Sequence, residues 1–201
     1  MSEENKDKKG NILYTGYGDN GTTTLYDCKQ HRISKSSILI EALGAVDELN
    51  AYMGIIKVLS KDENFYIELE IKKKYFDKII DDIQQNLFVI QAELGGSKMT
   101  VSKEELNMVE RVVAKISDEL PPIKSFTISG GSLLSSSLDF GRTLARRAER
   151  RIVAVVDEGS RDIGEETISY MNRLSTILFA LSRYSNHLLS IKEEHPDYNR
   201  N

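Results

Sequence analysis

The chain has 201 residues, enough for one domain with a full core and few for two. Hydrophobic residues make up 40% and charged ones 29%, a globular balance that excludes a disordered or membrane-embedded chain. Lys and Arg total 27 against 31 Asp and Glu, and the resulting net charge of -4 argues against a general nucleic-acid binder. A single cysteine, Cys28, excludes an intrachain disulfide and a Cys-rich zinc site. His31, His187 and His195 lie too far apart to form a local metal motif, so no metal-ligating residue is assigned. No apolar run approaches the ~20 residues that span a bilayer. The opening MSEENKDKKG has no apolar core of a signal peptide, so a soluble, cytoplasmic protein with no membrane partner is expected.

In chain order, residues 1–11 read as a disordered tail. Residues 12–36 are rich in Gly, Thr and charge and show no helical period. From Ser37 the apolar residues Ala42, Val46, Leu49, Met53, Ile56 and Leu59 step by 4, 3, 4, 3 and 3, the face of an amphipathic first helix. A second helix is predicted from about Ile67 to Leu94, with Ile79, Ile83, Leu87, Ile90 and Leu94 on one stripe and Gly95-Gly96 as its stop. Ser102-x-x-Glu105 reads as the capping box of a third helix that halts before Pro121-Pro122. A fourth runs from a Ser132 cap to about Asp157. A fifth starts at Asp162-x-x-Glu165 and ends near Ile191. The prediction is an all-α, five-helix bundle over 37–192, followed by a tail over 193–201.

Two segments carry chemistry. The string from Tyr14 to Thr24 contains GxGxxG through Gly16, Gly18 and Gly21, and nearly a Walker A loop, with Thr22 where lysine belongs. Ile12-Leu13-Tyr14 passes as a short strand, but Thr22-Thr23-Thr24 opens no good helix and no βαβ alternation follows. Rossmann and P-loop readings are therefore rejected. What remains is either a flexible tail with turn residues or a loop whose backbone N–H groups and threonine hydroxyls approach an anion.

The second segment is the fourth helix, where residues 142–151 hold five arginines and one glutamate. Arg142, Arg146 and Arg150 recur every four residues along a face about 12 Å long. A solvated surface is the usual fate of such a run. Yet like charges so spaced repel, which favours carboxylate partners or a polyphosphate gripped by guanidinium forks. Asp47-Glu48 on helix one offers a carboxylate. Asn172, Thr176, Phe179 and Arg183 share a face of helix five.

Taken together, YTGYGDNGTTTL (14–25), KSSILIEALGAVDELNAYMG (35–54), FTISGGSLLSSSLDFGRTLARRAER (126–150) and SYMNRLSTILFALSR (169–183) resemble the PduO-type ATP:cob(I)alamin adenosyltransferases. The RRAER and VDELNA strings are the specific ones; residues 60–120 add none. The resemblance implies a five-helix bundle, a homotrimer and active sites between subunits. It implies transfer of the 5′-deoxyadenosyl group of ATP to the cobalt of cob(I)alamin, which yields adenosylcobalamin and tripolyphosphate. Cobalt is then the nucleophile, so the reaction needs no catalytic serine, cysteine or histidine. A reductase and an adenosylcobalamin-dependent acceptor enzyme are the implied partners.

By the same resemblance, Thr15, Gly16, Tyr17, Gly18, Thr23 and Thr24 wrap ATP, closing the N-terminal segment over it. Lys35 and Arg146 hold the triphosphate with Mg²⁺. Arg147, Glu149, Arg150 and Asn172 contact the nucleotide. Asp47 and Arg142 match an ion pair near the cobalamin, and Phe126 matches the aromatic that displaces the lower cobalt ligand. Three residues depart from the family pattern: Gly16 replaces a basic residue, Ser129 a proline, and Thr176 an aspartate. These departures favour, as the alternative, a non-catalytic ATP- or cobalamin-binding carrier on the same fold. A third reading is a plain helical interaction protein with acidic partners.

Overall fold

The computed structural model describes residues 14–27 and 31–199. The expected tail over 1–11, the strand at Ile12-Leu13 and Cys28 lie outside the described residues. Among the described residues five helices carry the fold: α1 (Ile38–Glu63), α2 (Phe76–Leu94), α3 (Lys103–Glu119), α4 (Leu133–Glu158) and α5 (Glu165–Leu188). Four short strands, β1 (Thr22–Thr23), β2 (Ile33–Ser34), β3 (Tyr66–Leu69) and β4 (Lys72–Tyr75), form two antiparallel hairpins. Helix α4 packs between α1 and α5, with α2 against α1 and α3 against α5.

The helix ends follow local chemistry. Ser37 caps α1, its hydroxyl accepting from the Ile40 N–H at 3.4 Å, and Asn64 closes it with φ +53°. Ser102 and Glu105 form the expected capping box on α3, and Ser132 with Ser135 forms one on α4. The predicted stripes meet in one core: Leu49, Met53 and Ile56 of α1, Ile83, Leu87 and Ile90 of α2, and Leu174 and Leu178 of α5 are buried. Truncating any of these large side chains to alanine costs about 2–5 kcal/mol, because the cavity left behind collapses only partly.

Three predicted boundaries are corrected. The second helix does not begin at Ile67: residues 66–75 fold into the β3–β4 hairpin, and α2 starts at Phe76. Tyr66 pairs with Tyr75, their rings 5.7 Å apart, and Glu68 sits opposite Lys73. Cross-strand aromatic and charge pairs of this kind favour the ladder over a helical turn. The turn passes through Glu70 at φ +56°, a residue without the usual turn signature, which hid it.

The fifth helix is capped at Gly164, not Asp162, and it ends at Leu188 rather than near Ile191. Gly164 has no side chain to cap with. The buried Glu93 carboxylate of α2 does that work, accepting the Gly164 N–H at 2.8 Å and the Thr167 hydroxyl at 2.6 Å. A carboxylate at a helix N-terminus also complements the macrodipole.

Candidate functional site

The glycine–threonine segment is built as a small hairpin ahead of α1. Gly16 and Gly21 adopt φ +72° and +76°, and Gly16 and Gly18 carbonyls accept from the Asp19 and Gly21 N–H groups at 3.2 and 3.1 Å. Thr22 and Thr23 pair with Ser34 and Ile33, so the chain turns back instead of entering a helix. This is the geometry for which the Rossmann and P-loop readings fail.

Arg32 then ties the loop together. Its Nε donates to the Thr22 hydroxyl at 2.6 Å, and its Nη2 reaches the carbonyls of Thr22 at 2.8 Å and of Tyr17. Lys35 Nζ donates to the Gly18 carbonyl at 2.9 Å, and the Thr15 hydroxyl accepts from Tyr17 N–H at 3.4 Å. Thr15, Tyr17 and Thr24 are exposed, and Thr23 is half-buried in β1. At the far end of the segment Asp27 pairs with Arg161 at 2.6 Å.

The arginine row of α4 divides by partner. Arg147 pairs with Glu48, and Arg151 with Glu41 at 3.8 Å, both carboxylates on α1. Arg142 donates from Nε to Asp139 at 3.2 Å, and its guanidinium carbon lies 6.0 Å from the Phe179 ring centre. Arg146 and Arg150 have no carboxylate partner among the described residues. Glu149 accepts from the Asn172 amide at 2.8 Å, and Asn172 Oδ1 accepts from Arg173 at 2.7 Å, which joins α4 to α5.

The expected ion pair between Asp47 and Arg142 is not made within this chain. Asp47 accepts from the Gln91 amide at 3.3 Å on the exposed face of α1. Asp139 lies one turn from Arg142 on the same helix and reaches it without crossing between helices.

Arg142 and Arg146 open onto a cavity of about 600 Å³ shared with Ile123, Phe126, Thr176 and Phe179. Phe126, on the loop between α3 and α4, is 79% exposed. An unpaired guanidinium beside aromatic and aliphatic walls suits a large ligand with an anionic end and an apolar body. Within one chain the described hydrogen bonds of the glycine loop close on Arg32 and Lys35, and none reaches Arg146. Reading the sequence missed Arg32, Asp139 and the Asp27–Arg161 pair. The i,i+3 spacing of Asp139 and Arg142 on one helix was the available signal for that pair, whereas Arg32 and the Asp27–Arg161 pair are defined by partners that only folding supplies.

These features define a helical bundle whose aromatic-lined pocket holds a guanidinium without a carboxylate partner among the described residues. The chain belongs to the cobalamin adenosyltransferase family, whose profile matches residues 13–185. It is 36% identical over 178 residues to the corrinoid adenosyltransferase PduO of Salmonella typhimurium, covering 85% of this chain and 48% of that one. Against PduO of Citrobacter freundii it is 35% identical over 182 residues, covering 87% and 50%. The chain thus spans about half the length of these two relatives. A second corrinoid adenosyltransferase of Citrobacter freundii is 32% identical over 192 residues and is matched over 97% of its length, with 92% of this chain covered. A solved variant of the PduO-type ATP:corrinoid adenosyltransferase from Lactobacillus reuteri, complexed with cobalamin and ATP, superposes with a TM-score of 0.80. It is 26% identical and covers 94% of this chain and 98% of its own.

Proposed function

We propose that this protein transfers the 5′-deoxyadenosyl group of ATP to cob(I)alamin. The Co(I) lone pair attacks C5′ of the ribose, the C5′–O bond breaks, and tripolyphosphate leaves with the bonding electrons. The observation that carries this reading is Arg146, a guanidinium without a carboxylate partner among the described residues, beside Phe126 in one cavity. Arg146 and Lys35 bind the triphosphate and stabilise the charge that builds on the leaving oxygens. Thr15, Gly16, Tyr17, Gly18, Thr23 and Thr24 close over the nucleotide, while Arg147, Glu149, Arg150 and Asn172 hold its remaining contacts. Phe126 covers the lower face of the corrin, excludes water there and favours loss of the lower cobalt ligand.

The described residues contain no cluster of three His, Cys, Asp or Glu side chains fit to hold a metal. Mg²⁺ held by triphosphate oxygens would supply charge neutralisation there, beside Arg146 and Lys35. The enzyme acts as a homotrimer with its sites between subunits. Support comes from the exposed apolar side chains of Ile55, Val58 and Phe140 on α1 and α4, and from glycine-loop hydrogen bonds that close on Arg32 and Lys35 without engaging Arg146. In that assembly Asp47 of one copy meets Arg142 of its neighbour. Residues 12–36 form the nucleotide segment and 37–192 the bundle. Among the described residues no helix is long and apolar enough to cross a membrane, and the protein works in the cytoplasm. A reductase supplies the electron that makes cob(I)alamin, and an adenosylcobalamin-dependent enzyme takes the product.

The test mixes the protein with ATP, Mg²⁺ and chemically reduced cobalamin. Absorbance reports the Co–C bond, and the released phosphate species are identified. Adenosylcobalamin together with tripolyphosphate supports the proposal. ATP binding without product favours the carrier, and absence of nucleotide binding favours the interaction protein.

A further inference from the structure

The loop that carries Phe126 runs from Leu120 to Ser132 without helix or strand. Its two ends are clamped from α5. Arg183 donates to the Pro121 carbonyl at 3.2 Å, and Asn186 donates to the Gly130 carbonyl at 3.0 Å while accepting from the Ser132 N–H at 3.3 Å. Between the clamps, every described hydrogen bond of residues 122–129 goes to the segment after α5. The Ile128 N–H donates to the Glu194 carbonyl at 2.8 Å. His195 Nδ1 lies 2.9 Å from the Phe126 carbonyl and 3.0 Å from the Ser125 hydroxyl.

A carbonyl only accepts, so the bond to Phe126 requires the proton on Nδ1, with Ser125 oxygen as a second acceptor of the same N–H. The segment is itself fastened to the bundle. Arg183, with a side chain only 10% exposed, grips the Glu193 carboxylate through Nε at 2.5 Å and Nη2 at 3.1 Å.

Packing does not hold the loop in place of these bonds. Phe126 points outward, and a cavity of about 140 Å³ separates Thr127, Ile128 and Ser129 from α4 and α5. Position 129 is a serine, whose φ is not fixed as a proline's would be. The loop's course at Phe126 is thus set by the two bonds from Glu194 and His195.

We infer that residues 191–195 form a strap that positions the Phe126 loop, with His195 as a positioning residue for the face that meets the corrin. The inference rests on the role given to Phe126 above. It assigns a task to a segment that composition alone would count as a tail.

The chain has no tryptophan, so Phe126→Trp supplies a single reporter. In that background His195→Ala, and separately a chain ending at Ser190, should lower the Trp anisotropy and raise acrylamide quenching about twofold. In the otherwise native protein, His195→Ala should slow adenosylation from cob(II)alamin with a reductant about fivefold, the worth of one hydrogen bond. The KM for ATP and the rate with prereduced cob(I)alamin should stay within about twofold. His195→Asn, whose amide keeps a donor near the Nδ1 position, should restore the cob(II)alamin rate. Unchanged anisotropy and quenching in both His195→Ala and the shortened chain overturn the strap. So does an equal loss of rate from the two cobalt states. If the native protein forms no adenosylcobalamin at all, the functional reading fails instead, and the fluorescence still decides the strap.

Discussion

Asp27 and Arg161 meet at 2.6 Å and join the end of the glycine–threonine segment to the turn between α4 and α5. Arg161 is largely buried, and its Nε has no hydrogen-bond partner among the described residues, so the pair is its main compensation. Gly96 lies directly beneath Asp27 at φ +96°, and a Cβ there would overlap the Asp27 carboxylate. The glycine–threonine segment is therefore anchored far along the chain from its own sequence.

Loss of this anchor should be felt by ATP rather than by cobalamin. Arg161→Ala is expected to raise the KM for ATP about fivefold, the equivalent of about 1 kcal/mol for one partly exposed charge-assisted bond. Gly96→Ala should act in the same direction, by displacing Asp27. Steady-state kinetics with each substrate varied in turn checks this. An unchanged KM for ATP in both variants removes the anchor's role.

Arg146 and Arg151 lie on one helix but differ in partner, which makes them a matched pair for mutation. Arg146→Ala should lower kcat at least about 100-fold, the usual loss when a preorganised donor to developing charge is removed. Arg151→Ala breaks only an exposed pair with Glu41 and should stay within about twofold. Near-normal turnover by Arg146→Ala would discard the triphosphate assignment.

Glu93 should matter to stability more than to catalysis. Glu93→Ala orphans the Gly164 N–H and removes the charged acceptor of the Thr167 hydroxyl, for an expected cost of about 2–4 kcal/mol. Glu93→Gln keeps one acceptor and should cost less than half as much. Urea unfolding followed by circular dichroism measures both. Equal losses in the two variants would mean that packing, not acceptance, is what Glu93 supplies.

Acid sensitivity should trace in part to Tyr184 and Glu119. The Tyr184 hydroxyl donates to Glu119, and Lys115 lies 3.0 Å from the same carboxylate. Those contacts, the Tyr184 bond first, hold the Glu119 carboxyl below its ordinary 4.5. Burial raises the Tyr184 phenol, so it remains a donor. A carboxyl lowered by folding stabilises the native state above pH 4.5, and that contribution fades as pH falls through the folded value. Between about pH 5 and about pH 3 the urea midpoint of the native protein should fall more steeply than that of Tyr184→Phe, which keeps the ring stacked on Phe76. Parallel curves would remove Tyr184 from the acid response.

Periodicity and capping residues alone determined much of this protein. The stripe from Ala42 to Ile56, the Ser102–Glu105 box and the Ser132 start all appear where the spacing of apolar and capping residues puts them, because a helix couples residues only three or four apart. The motif strings pointed to the family for a similar reason, since each is a contiguous run. Tertiary structure decided the rest. It made Tyr66–Tyr75 a hairpin, paired Arg142 with Asp139 within the chain, and sorted five arginines into paired and unpaired sets. It also brought His195 to the Phe126 carbonyl across 69 residues of chain. The long-range pairings, Arg147 with Glu48 and His195 with Phe126, depend on which elements come together in the packed bundle, and no short window of sequence contains both partners.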